Sequence, residues 1–217
     1  MLTFSEENHL KAIFHLERTL PNGVSTNALA KEMETKASSI TDMIKKLSEK
    51  KLINYKKYKG FKLSQFGMET AIAIIRKHRL WEVFLVEKLN FSWDEVHEVA
   101  EQLEHIKSEK LTNKLDAFLS YPKIDPHGDP IPDEDGNFPK IAKILFSECQ
   151  VGDEGTFIGV KDSSPIFLQF LDKNNICLNA KVKILQKEAF DLSLKIEINN
   201  NTIMVSHKTA SNLYLQS

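Results

Sequence analysis

Hydrophobic positions recur at helical spacing through the first half of the chain and alternate towards its end. Leu10, Ile13, Phe14 and Leu16 predict a first amphipathic helix, with Ser5 as its N-cap and Pro21-Asn22-Gly23 as its stop. A second helix begins at Ser25 and carries Leu29, Ala30 and Met33. After the turn Glu34-Thr35-Lys36, a third covers about residues 37–50, with Ile40, Met43, Ile44 and Leu47 as its apolar face. Short helix, turn and helix in this order form the helix-turn-helix pattern. The alternating residues 52–63, turning at Gly60, predict a two-stranded wing.

A long helix is expected over residues 65–89, broken by Asn90-Phe91-Ser92-Trp93, where Ser92 and Glu95 stand at capping-box spacing. The next helix runs to about His105, and another covers 108–119. Residues 121–137 contain Pro122, Pro126, Gly128, Pro130, Pro132 and Gly136, which preclude regular structure over most of the segment. From Gly152 onward short β-rich runs take over, at 156–160, 181–185, 192–198 and 202–206, with Asn199-Asn200-Asn201 as a tight turn. They predict a small β-barrel-like C-terminal domain. No internal repeat or low-complexity tract is present.

The chain of 217 residues has room for two or three small domains with real cores. Its 41% hydrophobic and 27% charged residues are ordinary for a globular protein, and no apolar run approaches bilayer length. The first residues lack a basic region and an apolar stretch, so no signal peptide is expected and a cytoplasmic location is. Cys149 and Cys177 show neither zinc-ribbon nor redox spacing and are expected to be reduced and packed.

A net charge of −1 conceals an uneven distribution. Residues 36–62 hold nine lysines against Asp42 and Glu49, whereas 82–109 is rich in acids. The basic pole suits a polyanion. Ser38, Ser39, Thr41 and Asp42 open the third helix, where short polar side chains reach base edges, and Lys36, Lys45, Lys46, Lys56 and Lys57 are placed to neutralise phosphates. The plainer alternative is a basic winged helix used for protein contacts, or a solvated lysine-rich face.

The acid-rich middle carries a different chemistry. On a helix advancing roughly 100° per residue, His97, Glu101, Glu104 and His105 share one face opposite Val96, Val99, Ala100, Leu103 and Ile106. His78 and Glu82 repeat the pattern one turn apart on the preceding helix. Asp125-Pro126-His127 adds two ligand-type side chains on a stiffened loop. Imidazole with carboxylate and no thiolate suits Mn(II), Fe(II), Co(II) or Zn(II). A solvated, Glu-rich helix face is the bland alternative.

In their order along the chain, Arg76-Lys77-His78-Arg79-Leu80-Trp81-Glu82, Val96-His97 through Glu104-His105, and Asp125-Pro126-His127-Gly128-Asp129-Pro130-Ile131-Pro132 resemble the diphtheria toxin repressor and manganese transport regulator family of metal-dependent transcriptional repressors. The resemblance covers nearly the whole chain. It implies an α+β multidomain protein: a winged helix-turn-helix DNA-binding domain at 1–64, a helical dimerisation and metal-binding domain at 65–146, and a small SH3-like β-barrel domain, related to FeoA, at 147–217. It also implies a homodimer on a palindromic operator and two sites per subunit for Mn(II) or Fe(II). One site would use Glu101, Glu104 and His105 with Asn8 from the first helix. The other would use His78, Glu82 and His97, supplemented by Asp125, His127 and Asp162. This sequence departs from the family pattern at Asn8, Lys11, Ser163 and Ile166. Glu101, where the iron-responsive branch has Cys, favours manganese.

Two rival readings follow from the same residues. His97-Glu98-Val99-Ala100-Glu101 superficially resembles the HExxH helix of zinc hydrolases, but Glu101 replaces the second His, and no Ser, Cys or phosphate-binding loop supplies other chemistry. No enzyme is expected. A winged-helix regulator with purely structural metal sites would differ in binding DNA without metal.

Overall fold

The computed structural model describes residues 2–56 and 60–216. The chain divides into two compact units. The first comprises Met1–His78, Leu103–Glu109 and Pro132–Asn137, and the second Arg79–Gln102, Lys110–Ile131 and Phe138–Ser217.

The first unit opens with α1 (Phe4–Thr19), α2 (Thr26–Glu32) and α3 (Ala37–Glu49), followed by the strand pair β1 (Ile53–Lys56) and β2 (Gly60–Leu63). Thr3, not Ser5, caps α1: its hydroxyl accepts from the Glu6 amide while the Glu6 carboxylate accepts from the Thr3 amide. The reciprocal box needs an acid three residues after the cap, which Thr3 has and Ser5 lacks. Ser25 caps α2, accepting from the Ala28 amide. Leu10, Ile13, Leu29, Ile40, Leu47, Leu52 and Phe61 fill the core. The wing is antiparallel and pairs Lys56 with Gly60. Val24 bridges to Phe61 on its other side. Gly60, at φ +78°, allows that approach, since a Cβ there would lie 2.2 Å from the Val24 carbonyl oxygen. Lys57, one of the phosphate-binding candidates, lies outside the described residues.

The long helix α4 (Gln65–Leu89) has the bounds its periodicity predicts, and it supplies residues to both units. In the second unit its later turns pack with α6 (Glu109–Phe118) through Leu80, Val83, Leu115, Leu119 and Ile131. Between them lies α5 (Val96–Leu103), shorter than the sequence suggests, with Glu104 and His105 in the turn beyond it. The Ser92 hydroxyl donates to the Glu95 carboxylate ahead of α5, a side-chain contact and not one of the amide bonds of the expected box.

The C-terminal part of this unit is a six-stranded antiparallel sheet. Its strands are β3 (Ile144–Leu145), β4 (Glu154–Val160), β5 (Lys181–Lys187), β6 (Leu194–Ile198), β7 (Asn201–Val205) and β8 (Leu213–Gln216), in the order β3-β8-β4-β5-β6-β7. Asn199 and Asn200 both have positive φ, the conformation a two-residue hairpin turn needs. The core includes Phe146, Phe157, Leu171, Ile184 and Ile196, and Trp93 from the connection before α5 packs into the same cluster. The helix α7 (Pro165–Lys173), absent from the sequence reading, is signalled by Ser164 before Pro165 and by apolar Leu168 and Leu171. A short helix, α8 (His207–Ala210), precedes β8.

Candidate metal centre

In the second unit, the loop after α6 is shaped so that two of its side chains meet α4. Asp125 Oδ1 accepts from the amides of His127 and Asp129, both at 2.9 Å, and Pro126 between them restricts the backbone. Arg79, on α4 and almost wholly buried, holds the loop from the other side. Its guanidinium lies 3.4 Å from both Asp125 Oδ2 and Asp129 Oδ2 and donates to the Pro130 carbonyl.

Glu82, one turn further along α4, is the hub. Its carboxylate oxygens lie 3.4 Å from His97 Nδ1 and 3.5 Å from His127 Nδ1. His97 Nε2 in turn lies 3.4 Å from Glu101. The ligand-type atoms of Glu82, Asp125 and His127 all fall within 4.8 Å of one another, and all three residues are buried. His127 Nε2 meets the Trp93 carbonyl at 2.7 Å. A carbonyl only accepts, so this nitrogen carries the proton and Nδ1 faces Glu82. A backbone carbonyl fixing the far nitrogen is how ligating histidines are oriented.

The electrostatics describe a pocket short of positive charge. Burial pushes the Asp125 carboxyl up to about 7, and repulsion from Glu82 and Asp129 adds to this against the pull of Arg79 and His127. Burial works against charge on His127, but hydrogen bonding and attraction to Glu82, with the Asp125 charge, raise it to about 9. His97 is also raised to about 9, by its hydrogen bonds to Glu101 and Glu82. Protons on these imidazoles therefore balance the clustered carboxylates, which a cation can do in their place. Two carboxylates and an imidazole, without thiolate, fit a Mn(II)-, Fe(II)- or Zn(II)-class ion. Cys149 is buried in the sheet core.

The remaining candidates are arranged differently. In the first unit Glu104 is fully buried. Lys11 Nζ lies 2.8 Å from both of its oxygens, and His78 Nδ1 contacts Oε2. His105 Nδ1 binds the Glu7 carboxylate at 2.6 Å while its ring stacks on Phe4, at 4.2 Å between centroids. The helix α5 ends at Leu103, so the helical spacing that groups Glu104 and His105 with His97 and Glu101 does not extend past that residue. From the first helix, Glu7 is the carboxylate that meets His105, and nothing in its sequence spacing signalled that contact. Asp162 is exposed, and its carboxylate accepts from the Ser164 amide ahead of α7.

The nucleic-acid candidates lie on one side of α3. Lys36, Ser38, Ser39, Thr41, Asp42, Lys45 and Lys46 are exposed, opposite buried Ile40, Ile44 and Leu47. Asp42 lies 3.6 Å from Lys45, and Thr41 donates to the Ala37 carbonyl. Lys56 closes β1.

Comparison with known proteins agrees along the chain. Residues 1–61 match the iron dependent repressor N-terminal DNA binding domain, 64–133 the iron dependent repressor metal binding and dimerisation domain, and 145–217 the FeoA domain. An HTH-type transcriptional regulator of Methanocaldococcus jannaschii is 34% identical over 53% of this chain and 92% of its own. The iron-dependent repressor IdeR of Mycobacterium leprae is 31% identical over 60% of this chain and 56% of its own, so the match spans about half of that relative. Among solved structures, a manganese-dependent transcriptional repressor complex with manganese superposes with a TM-score of 0.79 at 32% identity, over 98% of this chain and 99% of the other. The manganese regulator SloR gives 0.70 at 30%, over 98% of both. With its winged helix, helical metal domain and FeoA-type sheet, the chain belongs to the diphtheria toxin repressor and manganese transport regulator family of metal-responsive transcriptional repressors.

Proposed function

We propose that this chain is a cytoplasmic, homodimeric repressor whose operator binding responds to Mn(II) in preference to Fe(II), and that it acts by binding rather than catalysis. The divisions 1–64, 65–146 and 147–217 then correspond to DNA binding, dimerisation with metal binding, and the C-terminal module. The observation that carries the metal reading is the His127 ring. The Trp93 carbonyl holds it so that Nδ1 faces Glu82 beside Asp125. Glu82, Asp125 and His127 would hold the ion, with His97 next to them. A bound divalent ion supplies positive charge and directional bonds that draw the α4 carboxylate and the loop together. The protein's own part is to hold the loop in register through Arg79 and the Asp125 turn, and to fix one His127 proton on Nε2 so that Nδ1 is the nitrogen that would give up its proton to a metal ion.

Metal changes operator affinity only to the extent that it favours the DNA-competent arrangement over others. In a dimer, two α3 helices would meet successive major grooves about 34 Å apart, which calls for a palindromic operator. Leu111, Phe118 and Tyr121 expose 41%, 63% and 60% of their surfaces, and such apolar exposure near α6 suits a subunit contact. Among the described residues no helix is long and apolar enough to cross a membrane.

The test is an anisotropy titration of operator DNA with Mn(II), Fe(II) and Zn(II), each against a chelated control. Mn(II)-dependent binding that Glu82→Gln and His127→Ala abolish is expected. Equal binding with and without metal would leave a winged-helix regulator with structural sites.

A further inference from the structure

The Glu104 cluster contains the same residue types as the Glu82 centre, but its charges are already matched. Glu104 has no exposed surface, and a carboxylate so placed requires a compensating charge. Lys11, with only 14% of its side chain exposed, supplies it through Nζ at 2.8 Å from each oxygen. Glu7, the other carboxylate, has Lys107 Nζ at 3.7 Å as well as His105. Lys77 is close enough to feel both carboxylate charges. Lys11, Lys77 and Lys107 thus face Glu7 and Glu104. In the second unit Arg79 meets Asp125 and Asp129, while Glu82 and Glu101 meet His97. Among the described residues, every group of three ligand-type side chains converging within 4.8 Å includes Glu82, and none includes Glu104.

We infer that the Lys11 ammonium is the resident cation of the Glu104 centre, which takes no divalent ion while that lysine is present. A metal ion on Glu104 would share its oxygens with an ammonium already at hydrogen-bond distance, and two like charges a few ångströms apart repel strongly away from water. Moving the ammonium aside would leave it without the carboxylate that justifies its burial. The family's pattern for these positions therefore does not fit this chain, and a metal response must be generated elsewhere. The inference rests on the metal reading given above for the Glu82 centre.

The experiment counts Mn(II) per full-length chain by equilibrium dialysis with atomic emission, with circular dichroism to confirm folding. Glu104→Gln is expected to retain the parent count. Lys11→Glu and Lys11→Met are expected to bind one more ion per chain, and adding Glu104→Gln is expected to remove it. The double replacement Lys11→Met with Glu104→Met leaves neither charge unpaired and should keep the parent count even where single variants fold poorly. Loss of one ion from the parent on Glu104→Gln or on the double replacement overturns the inference and leaves the Glu82 centre standing. Folded Lys11 variants that gain no ion overturn it too. A parent that binds no Mn(II) defeats the metal reading and the inference with it.

Discussion

Gly128 and Gly159 touch backbone to backbone: a Cβ built on Gly159 would lie 2.3 Å from the Gly128 Cα and 2.4 Å from the His127 carbonyl oxygen. The Val160 amide donates to that same carbonyl at 2.8 Å. The strand β4 is therefore a wall against which the His127 loop is set.

Gly159→Ala should push the loop off this wall and turn the His127 ring away from Glu82. Disturbing the support of a ligand costs about 10–100-fold in metal affinity, and that loss is expected for Mn(II). Stability should fall by roughly 1–3 kcal/mol, the usual range for a backbone clash. Gly152→Ala is the control, since nothing lies within 4 Å of its Cβ, although its φ of +97° carries some strain. Isothermal titration of both variants checks this. Unchanged Mn(II) affinity in Gly159→Ala would refute the wall's role.

His127 gives the metal-free protein a pH dependence of known sign. Its folded value of about 9 stands above the ordinary 6.5, so its contribution to stability is complete below about 6.5 and is lost as pH rises through 9. Asp125, raised from 3.8 to about 7, acts with the same sign at lower pH, since its neutral form is the one the fold favours. Urea unfolding of chelated protein at pH 6.5, 8 and 9 should show a steady decline that His127→Gln flattens. A metal-loaded sample should gain stabilisation over the same range, because the ligands must be deprotonated to bind.

Much of the fold is legible because it depends on local pattern. The α4 periodicity, the Ser25 cap and the Asn199-Asn200 turn each depend on neighbouring residues and are found where expected. The site is less legible. The Trp93 group that orients His127 is a backbone carbonyl, which has no side-chain signature. Nothing in the sequence spacing around Arg79 and Lys11 shows that tertiary contacts bury them against Asp125 and Glu104. The single-face argument for His97 to His105 reaches only as far as the helix does, since helical spacing says nothing once α5 ends at Leu103.

On α3, replacing Lys45 or Lys46 should weaken binding to all DNA and flatten the log–log salt dependence by about one unit per lost phosphate contact. Replacing Thr41 or Asp42 should change sequence preference instead, because short side chains early in the helix reach base edges. Competition with random DNA at several salt concentrations separates the two. Identical effects of both substitution classes would contradict the division of roles.

Metal preference should follow Asp125 more than Glu101. Asp125 is buried and converges with Glu82 and His127, whereas Glu101 contacts His97 at the edge of the cluster with 35% of its side chain exposed. Mn(II) is the weakest binder of the divalent series, so an oxygen-rich site selects it by ligand type and geometry, and a thiolate draws the site towards softer ions. Asp125→Cys is therefore expected to lower Mn(II) affinity and raise that for Zn(II) and Co(II), with a sulfur-to-cobalt charge-transfer band as its signature. The loop survives only in part, because Asp125 Oδ1 also accepts two amides, so affinities must be compared as Mn(II)-to-Zn(II) ratios within each variant. Glu101→Cys should shift that ratio much less. A large shift in Glu101→Cys with none in Asp125→Cys would move the ion from the loop to the α5 face.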